Sequence, residues 1–422
     1  MQTELAEQYR HTPEGQEAEA ILRRCVHCGF CTATCPTYQI LGDELDGPRG
    51  RIYQIKQVLE GQPATATTQL HLDRCLTCRN CETTCPSGVE YGRLIDIGRK
   101  LVDEQVPRSL VQGAVRGALK VGLTSSLFGP AFKLGQMVRP LLPGVLKNKV
   151  PASTPALHHS TRPLPAVTGN RKVIMLAGCV QPAMQPNINV ATQRVLQTLG
   201  IAVQVAAEAG CCGAIRHHLN DHEGALQQAR HNVDAWWPLV QAGAEAIIMN
   251  ASGCGSMVKD YAHLLRHEAA YAEKASRISS LTQDLAEFLP TLGSAIHQRI
   301  AQLGNTGKVP QATGLQRLTY HPPCTLQHGQ QVRGNVEILM RELGFTVSLP
   351  ADSHLCCGSA GTYSVLQSEL ATNLRDRKLA NIAPTEPQMI VSANIGCITH
   401  LQSGTHVPVR HWIEVLDLAL SV

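Results

Sequence analysis

The sequence predicts an α+β multidomain protein, a mainly helical N-terminal domain followed by two pseudo-repeated α/β domains. Three observations carry this. At 422 residues the chain exceeds what one hydrophobic core ordinarily organises. Two four-cysteine runs fall in its N-terminal quarter, and the other eight cysteines recur as two copies of one pattern. Within each copy, short apolar runs alternate with helical stretches, as in a parallel sheet with crossover helices. The boundaries read from these features are 1–104 for the N-terminal domain, 105–170 for a basic helical connector with a proline-rich linker, and 171–307 and 316–422 for the repeated domains.

Hydrophobic residues make up 43% of the chain and charged residues 17%, a globular composition. Aromatic residues, at 4%, are too scarce to build base-stacking platforms, so no nucleic-acid partner is expected. No stretch approaches the roughly 18–20 apolar residues that span a bilayer. The opening MQTELAEQYRHTPEGQEAEA lacks the apolar segment of a secretory signal. The expected location is the cytoplasm, with any membrane contact peripheral, on the cytoplasmic face of the inner membrane. Thiols stay reduced there, so 16 cysteines point to metal ligation or redox chemistry rather than disulfides.

The first run places Cys25, Cys28, Cys31 and Cys35 before Pro36, and the second places Cys75, Cys78, Cys81 and Cys85 before Pro86. Both fit C-x2-C-x2-C-x3-C-P. Three closely spaced thiolates can wrap one face of a cubane, while the fourth reaches the neighbouring cluster. Two [4Fe–4S] clusters are expected, the first on Cys25, Cys28, Cys31 and Cys85, the second on Cys75, Cys78, Cys81 and Cys35. Structural zinc is the alternative, but zinc usually takes two separated ligand pairs. Over roughly residues 20–95 the chain resembles bacterial dicluster ferredoxins. Between the runs, Ile52, Ile55, Val58 and Leu59 share a helical face, with Pro48 suited to start the helix and Gly61 to stop it. Arg49 and Arg51 can offset thiolate charge or simply be solvated at the helix start.

The second pattern is Cys179, Cys211-Cys212-Gly213 and Gly253-Cys254, repeated as Cys324, Cys356-Cys357-Gly358 and Gly396-Cys397. An interval of 32 positions separates the first cysteine from the pair in both copies, and the next interval is 42 in one and 40 in the other. Each copy reads as strand, cysteine, helix, extended run, Cys-Cys-Gly turn, helix, strand, cysteine. Ligands gather beyond the carboxyl ends of parallel strands, and Cys179, Cys254, Cys324 and Cys397 are all expected at strand ends. One metal site per copy follows: Cys179, Cys211, Cys212 and Cys254 in the first, Cys324, Cys356, Cys357 and Cys397 in the second. Each offers four thiolates, enough for an iron–sulfur cluster or a zinc ion.

This tandem arrangement resembles the cysteine-rich CCG domains of heterodisulfide reductases, of the anaerobic glycerol-3-phosphate dehydrogenase small subunit and of glycolate oxidase iron–sulfur subunits. CVHCGFCTATCPTY, GDELDGPRGRIY, DRCLTCRNCETTCPSG, EAGCCGA, ASGCG, PCTLQH, DSHLCCGSAGTY and ANIGCITHL are most similar to the last family. That resemblance implies FAD-binding partner subunits that oxidise a 2-hydroxy acid (glycolate, also D-lactate) and quinone as final acceptor. The longer CCG motif ends in C-x-x-C, whereas Met257 and His400 stand at the final positions here. This counts against a heterodisulfide-reductase-like thiol/disulfide function, the alternative. His400 is a candidate substitute ligand, although an ordinary structural histidine is the commoner outcome. The same holds for His217, His218, His321, His328 and His354 as proton relays near the cysteine turns.

No Asp or Glu occurs between Gln105 and Ala207, an interval with 11 Lys or Arg, while the whole chain carries only +4. Leu110, Ala114, Ala118 and Val121 recur at helical spacing, and prolines follow at 140, 143, 151, 155, 163 and 165. A basic amphipathic segment of this kind suits an anionic membrane surface or an acidic partner; the alternative is a connector packed on its own domains. No dinucleotide fingerprint is present, because Gly253-Cys-Gly255-Ser-Met-Val lacks its third glycine. Gly304-Asn-Thr-Gly307-Lys308 likewise fails the phosphate-loop spacing. The flavin and the substrate site are therefore expected on a separate subunit, with no catalytic residue on this chain.

Overall fold

A proline and a hydroxyl cap set the first long helix. Thr12 accepts from the Gly15 N–H, and Pro13 opens α1 (Pro13–Arg24). The computed structural model describes residues 1–125, 127–139, 157, 167 and 170–421, so the proline-rich linker lies outside the described residues. Helices α2 (Pro48–Leu59), α3 (Ala66–Asp73) and α4 (Tyr91–Gln105) complete the N-terminal domain. Pro48 starts α2, and Gly61 follows its end with φ +94°, as the sequence suggested. Ile52, Ile55, Val58 and Leu59 are buried against Ile21, Leu22, Leu94 and Ile95. The α2–α4 approach requires Gly98, since a Cβ there would lie 2.5 Å from Ile55 Cγ1. Helices α5 (Leu110–Gly122) and α6 (Phe128–Val138) then form the connector. Among the described residues, no helix is long and apolar enough to cross a membrane.

The two repeats follow. The first contains β1 (Lys172–Met175), α7 (Pro186–Thr198), β2 (Ala202–Gln204), α8 (His222–Gln241), β3 (Ala246–Met249), α9 (Ser252–Lys259) and β4 (Thr282–Asp284). The second contains β5 (Arg317–His321), α10 (Asn335–Glu342), β6 (Thr346–Ser348), α11 (Ser368–Ile382), β7 (Met389–Ser392), α12 (Ile395–Gln402), β8 (Val409–His411) and α13 (Trp412–Ala419). Both sheets are parallel, ordered β2-β1-β3-β4 and β6-β5-β7-β8. Val173 pairs with Val203 and Ala246, and Leu318 with Val347 and Met389, so register repeats along with the cysteines. The α+β class holds. The edge strands β4 and β8 escaped the sequence reading because three residues, Thr-Gln-Asp or Val-Arg-His, carry no periodicity.

The repeats are not separate globules. Val173, Val195 and Ile248 of the first share one buried cluster with Leu318, Val391, Trp412 and Leu416 of the second. Across this joint, Arg194 of α7 meets Asp417 of α13 through Nε at 2.9 and 3.0 Å and Nη2 at 2.5 Å. Both side chains are below a tenth exposed. Removing one partner of such a pair strands a buried charge at about 3–5 kcal/mol, while replacing both by apolar groups can be neutral. Asp417→Asn should therefore lower the denaturant midpoint of the C-terminal half, followed by circular dichroism, and Arg194→Met/Asp417→Leu should recover most of the loss.

Candidate metal centres

The two Cys-x-x-Cys loops of the N-terminal domain use the same backbone device. His27 and Gly29 flank Cys28 at φ +58° and +88°, and Thr77 and Arg79 flank Cys78 at φ +52° and +59°. Alternation of left-handed residues curls the chain so that amides and thiols face a common centre. Cys25, Cys28, Cys31 and Cys85 line one small cavity of about 30 Å³. Burial pushes the Cys31 thiol up to about 11, and charge on Cys25, Cys85 and Cys28 adds to it. Cys81 has Cys78, Cys75 and Cys35 around it, and burial pushes it well above its usual value. The last cysteine of each run thus sits with the other run's first three. Four sulfur donors converging at each centre fit a thiolate-ligated metal cluster. Among the described residues, neither set holds three donors all within 4.8 Å of one another, a spread that suits a multi-atom cluster.

Arg49 and Arg51 part company. Arg49 is half-exposed on Glu44, whereas Arg51 is 1% exposed and donates to the His71 carbonyl and Thr37 Oγ1. Asp46, itself fully buried, lies 3.4 Å from Arg51 and 2.8 Å from Arg74. Burial opposes the Arg51 charge, but Tyr91, Cys75, Cys35 and Asp46 more than compensate and hold it protonated. Arg99 donates to the Leu72 and Cys75 carbonyls and to Thr77 Oγ1 on the other side of the same set.

In the first repeat, Cys179 lies against Cys211, and Cys212 against both Cys211 and Cys254. Cys179 and Cys254 are half-buried, the pair buried. In the second repeat all four are buried, with Cys324 Sγ 3.8 Å from Cys356 Sγ and Cys357 between Cys356 and Cys397. The motif glycine has a steric reason. Gly358 has φ +89°, and a Cβ on it would lie 2.5 Å from the Ala371 carbonyl of α11. One expectation needs correction. Cys179 and Cys324 lie four and three residues past the ends of β1 and β5, and Cys254 and Cys397 lie in the first turns of α9 and α12, because the chain turns into helix soon after β3 and β7.

The histidines separate by environment. His400 Nε2 is 3.0 Å from the Ala371 carbonyl. Met257 is buried with its methyl beside Gly213. His328 links domains, with Nδ1 at 3.0 Å from Thr83 Oγ1 and Nε2 at 2.8 Å from the His354 carbonyl. His321 is different: its ring lies with Cys357 and Cys397. The sequence signal for it was its place three residues before Cys324, where the first repeat has Leu176.

A cavity of about 1810 Å³ opens between the N-terminal domain and the repeats, and Cys78, Cys179, Cys254, Cys324 and Cys397 all reach it. Part of its wall is apolar. Leu76, Cys78, Cys324, Cys356 and Tyr363 form one buried cluster, and the Tyr363 hydroxyl donates to the Arg74 carbonyl. The second repeat's thiols therefore abut the N-terminal set built on Cys75, Cys78 and Cys81. In the acid-free interval, Arg108 pairs with Asp73 and Asp103, Arg116 with Asp73, Arg171 with Glu245 and Arg194 with Asp417. Much of the apparent basic excess is consumed internally. Lys147, Lys149 and Arg162 lie outside the described residues.

Residues 21–89 match the 4Fe-4S dicluster domain family, and residues 173–259 and 318–402 each match the CCG cysteine-rich domain family. The chain is 52% identical to the glycolate oxidase iron-sulfur subunit of Escherichia coli (strain K12), covering 100% of this chain and 99% of that one. Identity is 30% to the probable glycolate oxidase iron-sulfur subunit of Bacillus subtilis (strain 168), over 92% and 89%. It is 27% to lactate utilization protein A of Bacillus licheniformis, over 58% of this chain and 99% of the relative.

The cavity's other wall is held by a titratable pair, His217 Nε2 at 3.2 Å from Asp96 Oδ2 of α4. Burial lowers the His217 pKa, but Asp96, with Asp260, outweighs burial and Arg99, so the imidazole titrates above its ordinary value. Burial raises the Asp96 pKa, yet His217, His218 and Arg99 bring it well below the carboxylate range. The ring of His222 completes the surroundings at 4.8 Å from that of His217. The raised histidine contributes fully below its unfolded pKa near about 6.5 and loses that contribution as pH rises through the folded value; the lowered carboxylate contributes above about 4. Asp96→Asn should accordingly destabilise most between about pH 4 and 6.5, with the gap in melting temperature to the parent shrinking at higher pH.

Proposed function

The chain belongs to the glycolate oxidase iron–sulfur subunit family, and on that premise we propose that it carries electrons within a flavin-dependent 2-hydroxy-acid dehydrogenase. Partner subunits binding FAD would oxidise glycolate or D-lactate, a CH–OH donor, and quinone would be the final acceptor. The observation that carries this reading is the crossed convergence of eight cysteines into two thiol sets. Cys25, Cys28, Cys31 and Cys85 would hold one [4Fe–4S] cluster, and Cys75, Cys78, Cys81 and Cys35 the other. Such clusters supply one-electron chemistry at potentials set by hydrogen bonds, charge and burial. The chain's own contribution is that tuning: Arg51 and Arg99 add positive charge beside the second set, and Tyr91 donates to Cys75 Sγ at 3.6 Å. The thiol sets of the repeats would each hold a further iron–sulfur cluster or a zinc ion. The contact of Cys78 with Cys324 and Cys356 supports exchange between the second of these sets and the N-terminal domain. Met257 and His400 leave the thiol/disulfide alternative without its fifth thiolate.

The connector supports peripheral contact with the cytoplasmic membrane surface. Leu110, Val111, Leu127, Leu134 and Met137 of and beside α5 and α6 are exposed, on a stretch with no acidic residue. Such a surface suits insertion at an anionic interface.

Anaerobically purified protein should contain at least about eight irons per chain, and about twelve to sixteen if the repeats also hold clusters. Cys85→Ser should remove about four irons and one of two interacting paramagnetic signals on reduction. Zinc in place of iron in the N-terminal sets would sink the electron-carrier reading. In vesicle flotation the protein should rise with anionic and not with neutral vesicles, and Leu134→Glu/Met137→Glu should abolish this.

A further inference from the structure

We propose that His321 is a metal ligand that, with Cys357 and Cys397, binds an iron or zinc ion in the second repeat through a mixed imidazole–thiolate set. Three observations converge. One donor atom from each of the three residues lies within 4.8 Å of the other two. Donors bonded to one ion at about 2.0–2.3 Å sit within roughly 4 Å of each other, so a small contraction closes the trio on a single centre. His321 is 1% exposed, and neither Nδ1 nor Nε2 has a hydrogen-bond partner among the described residues. A buried imidazole is ordinarily satisfied, and a metal bond would satisfy this one. The main chain fixes the residue without using the ring: the Ser392 hydroxyl donates to the His321 carbonyl at 2.9 Å, tying the end of β5 to β7.

The ligand comes from a strand end, not from the helical position where the sequence offers His400. His400 is turned to the Ala371 carbonyl. The first repeat has no counterpart, since Leu176 occupies the equivalent position and is buried. The two repeats are thus chemically different sites, four thiolates in one and thiolates with a neutral imidazole in the other. The inference rests on the reading that the second repeat holds a metal, but not on the electron-carrier role.

The test uses the full chain. Metal analysis first decides between iron and zinc. If the additional metal is iron, protein labelled with [15N]histidine should show nitrogen hyperfine coupling that changes with the isotope. If it is zinc, absorption at the zinc edge should fit a shell containing one nitrogen. His321→Ala should lose that metal and that nitrogen while the N-terminal iron remains, and His321→Cys should keep the metal but lose the nitrogen. Wild-type spectra decide the point even if His321→Ala does not fold. No metal beyond the N-terminal irons, no nitrogen ligand, or a nitrogen signal that survives in His321→Cys would overturn the proposal. None of these results would touch the two N-terminal sets, whose own loss would instead overturn the electron-carrier reading.

Discussion

Thiols gathered inside a protein create an electrostatic demand, and much of this molecule is organised to meet it. A thiolate set in a low-dielectric interior is stable only when cations and donors surround it. The N-terminal domain meets the demand twice over around Cys75, Cys78, Cys81 and Cys35, with Arg51 between Asp46, Thr37 and the His71 carbonyl and Arg99 on the Leu72 and Cys75 carbonyls. Neither guanidinium is a surface charge; both are below a tenth exposed. The second repeat uses the same principle. Lys378 of α11 is 2% exposed and donates to the Asp352 carbonyl, close to Cys356 and Cys357. These cations fix helix positions as well as charge, which links the helical framework to the sulfur sets it carries.

The same demand explains the contacts between domains. Cys78 could be buried by its own loop only in part, and Cys324, Cys356 and Tyr363 of the second repeat close over it. Asn80 donates to the Thr34 and His354 carbonyls, so the loop that positions Cys81 is anchored at once to the first cysteine run and to the second repeat. The first repeat is held more electrostatically, by His217 on Asp96, Arg79 on Asp260 and both His263 and Arg266 on Glu17. Both repeats line the cavity beside the N-terminal domain, and the second in addition packs Cys324, Cys356 and Tyr363 directly on Leu76 and Cys78.

The features legible in the sequence were those set by covalent spacing. The duplicated pattern and the helix from Pro48 appear where the spacing puts them, because local chain geometry admits few alternatives. What stayed hidden depends on tertiary placement. Arg49 and Arg51 were indistinguishable two residues apart, yet one faces solvent with Glu44 and the other the core, since their separation on α2 turns them to different faces. The acid-free interval left a membrane-facing segment and a packed connector both open, and the partners that Arg108 and Arg116 find in Asp73, and Arg194 in Asp417, are distant in sequence. Motif position singled out His400, whereas the ring beside the thiols is His321, delivered by a strand that pairs with its neighbour only in the folded sheet.

The repeats then show how duplication can keep a backbone while changing a site. Register, strand order and the left-handed turn glycines Gly213 and Gly358 are common to both. The side chains around the sulfurs are not. In the first repeat Met257 and Leu176 close the set with apolar atoms, and Cys179 and Cys254 stay half-buried beside the cavity. In the second, His321 replaces Leu176, and all four cysteines are buried. A buried four-thiolate set is harder to stabilise than an open one, because water cannot screen its charge. Substituting a neutral ring for an apolar side chain at that position, and placing Lys378 behind the Cys-Cys pair, are the changes that deeper burial calls for. On this argument, the asymmetry between the repeats follows from where each one docks.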